Sequence, residues 1–243
     1  MKLREIYQAF INFYARIEPH HDTWMLWLKH KSEREIFEVA IGTILVQNTN
    51  WKNVDLAIKN LFDEGTDSFM KLKSLDLKKL EQIIRPAGFY KQKARYLISL
   101  AELFNKLYLS NRKFPTRIEL LKVKGVGKET ADSLLVYCFY QPFPIVGTYT
   151  RRFLTRIYAN PEFLNIKYEK IQECIKNEFP EDYYDIGKFH ALIVGHCQKF
   201  CQKNQPSCEE CFLFSKCIFG QKYKSNSSIA NIQSKISPPK KKK

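Results

Sequence analysis

Four cysteines, Cys201, Cys208, Cys211 and Cys217, fall within 17 residues in the spacing C-x6-C-x2-C-x5-C. Thiolates bind soft metals. Four of them in one compact loop close either a tetrahedral zinc site or a cubane iron–sulfur cluster. A zinc ribbon normally brings two short C-x2-C pairs, and this stretch has one. Seven cysteines is an odd count, and so tight a cluster in an intracellular chain points to metal rather than disulfides. Cys197, four residues before the cluster, reads as a packed thiol. Cys138 and Cys174 sit in helical patterns and read as core.

A second constraint lies at residues 121–153. A short apolar turn leads into Gly125-Val126-Gly127, and a helix follows at once, with Ala131, Leu134, Leu135 and Cys138 at i, i+3, i+4 and i+7. Two glycines at the mouth of a helix allow a tight turn and point bare N–H groups outward. With the positive end of the helix dipole they form a phosphate site, which Lys124 and Lys128 flank. The pattern reads as a hairpin that holds a nucleic-acid backbone. The formal charge of +15 agrees, because so large an excess self-repels without an anionic partner.

The rest of the chain is read as all-α. Residues 1–32 look helical and amphipathic, with Ile6, Phe10, Phe13, Tyr14 and Ile17 on one face. Ser32 caps a helix carrying Phe37, Ala40, Ile41, Ile44 and Leu45, which ends in the polar break Gln47-Asn48-Thr49-Asn50 before Trp51. Segments 52–63, 66–73, 76–85, 91–108 and 115–122 have helical length and period, and the lysines around Arg85–Ala94 read as exposed. Residues 221–243 lack an apolar face and end in four lysines, the mark of a disordered basic tail. No 18-residue apolar run and no apolar signal core appear. The chain is therefore expected to be soluble, monomeric and cytoplasmic or nucleoid-associated, with no membrane contact.

Three stretches, VQNTNW, RPAGFYKQKA and KGVGKETA, resemble in order the endonuclease III superfamily of helix-hairpin-helix DNA glycosylases, and the second is especially similar to its 3-methyladenine branch. The cysteine spacing is also that family's [4Fe–4S] loop. The resemblance implies two helical domains with DNA between them. A six-helix barrel with the hairpin would span 33–144, and a cluster domain would comprise 1–32 and 145–220. It implies a [4Fe–4S] cluster on Cys201, Cys208, Cys211 and Cys217, and double-stranded DNA with a damaged base as partner. DNA contacts would come from Lys124, Gly125, Gly127, Lys128, Arg151 and Lys203, with Gln47 filling the gap left by a flipped base. Arg152 would lie near the same cleft. Trp24, Trp27, Trp51 and Tyr149 are the candidates for a base pocket, through cation–π attraction of roughly 0.5–2 kcal/mol to a cationic base.

Two positions depart from the family. Its catalytic aspartate is replaced by Gly147, and the lysine of its strand-cutting members by Glu129. Without that lysine a Schiff base cannot form, so the expected activity is monofunctional, by direct water attack, on an alkylated base such as 3-methyladenine. Without the aspartate, three accounts compete. A neighbouring carboxylate, Glu129 or Asp132, takes over; or the cationic base leaves with little help; or the chain binds lesions without excising them. An apurinic-site lyase is the reading that Glu129 opposes.

Overall fold

The computed structural model describes residues 1–17, 28, 32–110, 112, 114–179 and 182–223. Trp24, Trp27 and most of the residues read as a tail lie outside them. Among the described residues, α1 (Leu3–Ile17), α2 (Glu33–Leu45), α3 (Trp51–Asp63), α4 (Phe69–Ser74), α5 (Leu77–Ile83), α6 (Tyr90–Leu109), α7 (Arg117–Lys122), α8 (Lys128–Phe139), α9 (Thr148–Ile157), α10 (Tyr168–Glu178) and α11 (Tyr183–Lys199) follow one another, and residues 218–223 are helical as well. No strand occurs among the described residues. The chain is all-α.

The helices begin where side chains replace the missing backbone partners. Ser32 and Thr116 form capping boxes with Glu35 and Glu119, and Asn50, Ser68 and Asp76 cap α3, α4 and α5. Each such cap stabilises its helix by about 1 kcal/mol.

The chain divides into two compact units. One comprises Met1–Asp22, Val146–Pro180 and Lys188–Lys243; the other comprises Thr23–Ile145 and Glu181–Gly187. In the first, Phe10 of α1 is fully buried, with its ring 5.6 Å from Phe153 of α9, 5.2 Å from His196 of α11 and 5.5 Å from Phe212. Burying such a ring stabilises by roughly 1.5–3 kcal/mol. The cysteine loop is thereby fastened to the N-terminal helix. In the second unit, Phe37 of α2 packs edge-on to Phe69, and Phe69 lies 4.2 Å from Phe104 of α6. Fully buried Ile41, Ile44, Leu97, Leu100, Ala131 and Leu134 complete the α2, α6 and α8 faces of that core.

Three sequence expectations change. Lys93, read as exposed, is buried. Cys174 is exposed, whereas Cys138 is buried. The stripe that α10 buries is Ile171, Gln172 and Ile175, and Cys174 lies about 100° around the helix from Ile175. Residues 221–223, assigned to the tail, are helical: residues 218–223 continue from the cysteine loop, and the Gln221 amide donates to the Ser215 carbonyl.

Candidate functional site

The hairpin of α7, Val123–Gly127 and α8 is held from inside. Arg117 at the start of α7 makes a two-pronged ion pair with Asp132 of α8, at 2.6 and 3.0 Å, and the Asp132 side chain is fully buried. Gly125 has φ +87, and any Cβ there would run into the ring of Tyr96, so this position requires glycine twice over. Gly127 is different. Its φ is −87, and a Cβ would meet nothing within 4 Å. It caps α8 with no side-chain hydrogen bond, so the first N–H groups of α8 face outward, with exposed Lys124 and Lys128 beside them. Neither backbone nor packing explains glycine at 127; open space over bare N–H groups suits an approaching anion.

Gln47 follows the end of α2. Its amide donates to the Gly125 carbonyl at 3.1 Å and the Thr130 hydroxyl at 3.3 Å, which puts it against the hairpin. The Trp51 ring lies over Gly42, at 3.5 Å from where a Cβ would be, and is half-buried. Sequence reasoning missed Phe89. This phenylalanine caps α6 at φ +46 and is 66% exposed. A bulky residue held in the left-handed region costs about 1–3 kcal/mol, and such strain gathers at working sites. The signal lies in Gly88-Phe89-Tyr90, an apolar pair in a polar turn, but hydropathy alone would bury it.

Around α9, Gly147 is buried and caps the helix at φ −92 and ψ −174, with no side-chain hydrogen bond. Any L-residue adopts that backbone. Tyr149 is half-buried, with the Arg152 guanidinium 5.0 Å from its ring centre. Arg151 points inward, donating to the carbonyls of Phe163 at 3.0 Å and Ile166 at 2.9 Å, so it ties α9 to the segment before α10. Arg152 donates to the Cys201 carbonyl at 3.0 Å.

The two acids at the start of α8 have separate fates. Asp132 is committed to Arg117. Glu129 is exposed, its carboxylate has no hydrogen bond or ion pair among the described residues, and desolvation by the surrounding protein raises its pKa.

Cys201, Cys208, Cys211 and Cys217 line one hollow of about 20 Å³, partly open to solvent, with Phe153, Ile157, Phe200, Leu213 and Phe219. Among the described residues, no three or more His, Cys, Asp or Glu side chains converge as a single metal ion requires. Four thiols set around a hollow suit a polynuclear cluster, in which each sulfur meets a different iron. Donors already face two of the sulfurs. The Arg156 guanidinium lies 3.3 Å from the Cys201 sulfur, and the Gly220 N–H lies 3.3 Å from that of Cys217. A hydrogen bond from the Cys197 thiol, helped by Arg156, lowers the Cys201 pKa, whereas burial pushes Cys211 up to about 12. Cys197 itself is buried, with its sulfur 3.7 Å from the Tyr149 carbonyl oxygen. Lys203 is exposed on the loop between the first two cysteines.

An all-α chain with a glycine hairpin opening one helix and a four-cysteine loop near its end has the features of a helix-hairpin-helix DNA repair protein. Residues 41–181 match the HhH-GPD superfamily of base excision DNA repair proteins, and the chain belongs to that family. It is 36% identical over 222 residues to a candidate DNA repair glycosylase of Methanocaldococcus jannaschii, covering 88% of this chain and 94% of the relative. To the endonuclease III of Sulfolobus acidocaldarius it is 32% identical over 192 residues, covering 76% and 83%. Its fold superimposes on endonuclease III in a non-covalent DNA complex with a TM-score of 0.72, at 23% identity over 93% of this chain and 99% of the other. The 3-methyladenine DNA glycosylase of Helicobacter pylori, bound to 1,N6-ethenoadenine, superimposes with a TM-score of 0.60 at 25% identity, covering 82% and 98%.

Proposed function

We propose that this chain is a monofunctional DNA N-glycosylase that removes an alkylated base, such as 3-methyladenine, from double-stranded DNA, with Glu129 as the working carboxylate. The observation that carries the reading is the contrast between the two acids of α8. Asp132 is locked to Arg117, while Glu129 is exposed, lacks a partner among the described residues and has a raised pKa. A raised pKa makes a carboxylate a stronger base. In the reaction, water adds to the sugar C1′ as the C1′–N bond breaks. The base leaves with the bonding pair, and Glu129 accepts the proton of the water. Its negative charge also stabilises the positive charge that develops on the sugar. A 3-methylated adenine is cationic before cleavage and leaves as a neutral molecule, so it asks less of the catalyst than an ordinary base does.

The hairpin, through the N–H groups at Gly125–Lys128 and the charges of Lys124 and Lys128, holds a phosphate. Lys203 adds charge on the cysteine loop, and Arg152 lies beside it. Gln47 pairs with the orphaned base after flipping, and exposed Phe89 wedges into the stack. Trp51, on the same unit as Glu129 and the hairpin, supplies an aromatic face for the base. The four cysteines hold a [4Fe–4S] cluster, whose part here is to fix the loop bearing Lys203. Similarity to the H. pylori enzyme and the RPAGFYKQKA stretch support the alkylated-base class.

Single-turnover excision on a duplex carrying 3-methyladenine tests this. The protein as it stands should release base, Glu129→Gln should slow release by about a hundredfold or more, and borohydride should trap no covalent adduct. Release that is unchanged in Glu129→Gln would remove Glu129 from the mechanism. Gly147 favours one other reading, a lesion-binding protein without turnover. Binding without release, cured by Gly147→Asp, would establish it. A matched panel with a deaminated and an oxidised base tests the substrate class independently of the catalyst. For the cluster, anaerobically isolated protein should contain about four irons and four sulfides per chain.

A further inference from the structure

Lys93 lies in the first turns of α6, in a stretch of basic residues, and is only 2% exposed. Its ammonium donates at 2.8 Å to the carbonyl of Leu45 and at 2.8 Å to that of Ala87. Leu45 ends α2, two residues before Gln47; Ala87 ends the 3-10 turn Arg85–Ala87, two residues before Phe89. The Leu45 carbonyl lies where the helix ladder gives out. The N–H of Gln47 turns back to Ile44, and that of Thr49 to Val46. A cation at the C-terminal end of α2 also meets the negative end of its dipole. The backbone N–H of Lys93 donates in turn to the Phe89 carbonyl at 3.0 Å. The Lys93 side chain thus joins the end of α2 to the turn before Phe89, and its backbone opens the ladder of α6 on the Phe89 carbonyl.

We propose that Lys93 is a positioning residue that locks the Gln47 loop and the Phe89 turn into a single unit, so that gap filling and wedging occur together. This rests on the reading that Gln47 and Phe89 enter the DNA stack. A buried cation is expensive to hold and would be replaced by an apolar side chain if packing were the only need. Here burial lowers the Lys93 pKa to about 8, and the group still keeps both carbonyls. Losing it would leave two loop carbonyls without this donor and free each loop to move separately. A misplacement of about 1 Å is enough to cost a hundredfold in a positioned step.

The test is a double-mutant cycle read by base extrusion. A 2-aminopurine next to the damaged base brightens when its neighbour leaves the stack, and cooperative melting is checked for each variant. In the natural background, Gln47→Ala and Phe89→Ala should each reduce the extrusion equilibrium about tenfold or more. Lys93→Met should reduce it comparably, and adding either alanine to Lys93→Met should change it by less than about twofold. A role in overall stability alone would leave the alanine effects multiplying undiminished, which overturns the proposal. If neither alanine has an effect in the natural background, the reading of Gln47 and Phe89 as DNA contacts fails instead. Should Lys93→Met not melt cooperatively, the cycle is run in Lys93→Gln, which keeps a donor on a shorter stem. Failure of both to fold would assign Lys93 to global stability and also overturn the proposal.

Discussion

Removing Asp132 should unfasten the hairpin from within, and the cost can be worked from its geometry. Both carboxylate oxygens accept from Arg117, at 2.6 and 3.0 Å; the carboxylate is fully buried, and the Arg117 side chain is 22% exposed. Breaking a buried pair by deleting one member typically costs about 3–5 kcal/mol, because the other charge stays behind. The two deletions are not equivalent. In Asp132→Ala the guanidinium can turn toward water, so the loss should fall near ~3 kcal/mol. In Arg117→Met the carboxylate remains buried without this cation, so the loss should lie nearer ~5 kcal/mol. Replacing both, as Arg117→Met with Asp132→Leu, should recover most of the loss, since an apolar pair of similar volume needs no desolvation. Urea unfolding followed by circular dichroism gives all three values from the midpoint and slope. The order of the single variants and the recovery in the double are the decisive results. A loss below about 1 kcal/mol for either single, or a double variant as unstable as the sum of its parts, would refute a buried clamp between α7 and α8.

Glycine at 125 and at 127 should separate fold from function. Gly125→Ala combines a positive φ with a collision against Tyr96 and should cost about 3 kcal/mol or more in a melt. Gly127→Ala should leave stability within about 0.5 kcal/mol yet weaken binding to duplex DNA and reduce its salt dependence. Gly147→Asp suits the backbone, φ −92 and ψ −174, and supplies the cap that α9 lacks, while burying a carboxylate; its melting temperature should stay close to that of the natural protein as the two effects offset. Lys93 predicts a rise of stability in mild alkali. Its folded pKa of about 8 lies below the ordinary 10.5, so between those values the unfolded chain holds a proton that the folded one has released. Stability should climb over that window, and Lys93→Met should flatten the climb. Cys208→Ser should lower bound iron and destabilise the unit that holds the cysteine loop, measured by iron content and by protease cleavage near residue 208.

Features written in adjacent residues are legible in the chain itself. The glycine pair, the stripe Ala131–Leu134–Leu135–Cys138 and the cap at Ser32 are local, and the helices form where those signals place them. What escapes depends on partners far along the chain. Lys93 sits in Lys91-Gln92-Lys93, which reads as a solvated basic turn; the carbonyls of Ala87 and of Leu45, the latter 48 residues away, make a buried ammonium tenable. Arg151 reads as a phosphate ligand until the loop carbonyls at 163–166 bend back to it. Cys174 has the right residue type for a core and the wrong angle around α10.

The question of catalysis has the same form. From sequence, Glu129 and Asp132 are two acids on one helix, three residues apart, with nothing to rank them. Residues three apart share a helix face, so period alone gives them equal standing. Arg117 breaks the tie, since a carboxylate held by two charge-assisted hydrogen bonds and sealed from solvent cannot accept a proton from water without dismantling the hairpin. Glu129 lies two residues past Gly127, in the first turn of α8, where the helix dipole favours its charged form and partial desolvation opposes it. The raised pKa means that desolvation wins, and a carboxylate strained in that direction gains from a neighbouring positive charge. A sugar becoming cationic as its base departs supplies such a charge, and a phosphate does not. If Glu129 serves the bond-breaking step, Glu129→Gln should therefore impair excision far more than it impairs binding.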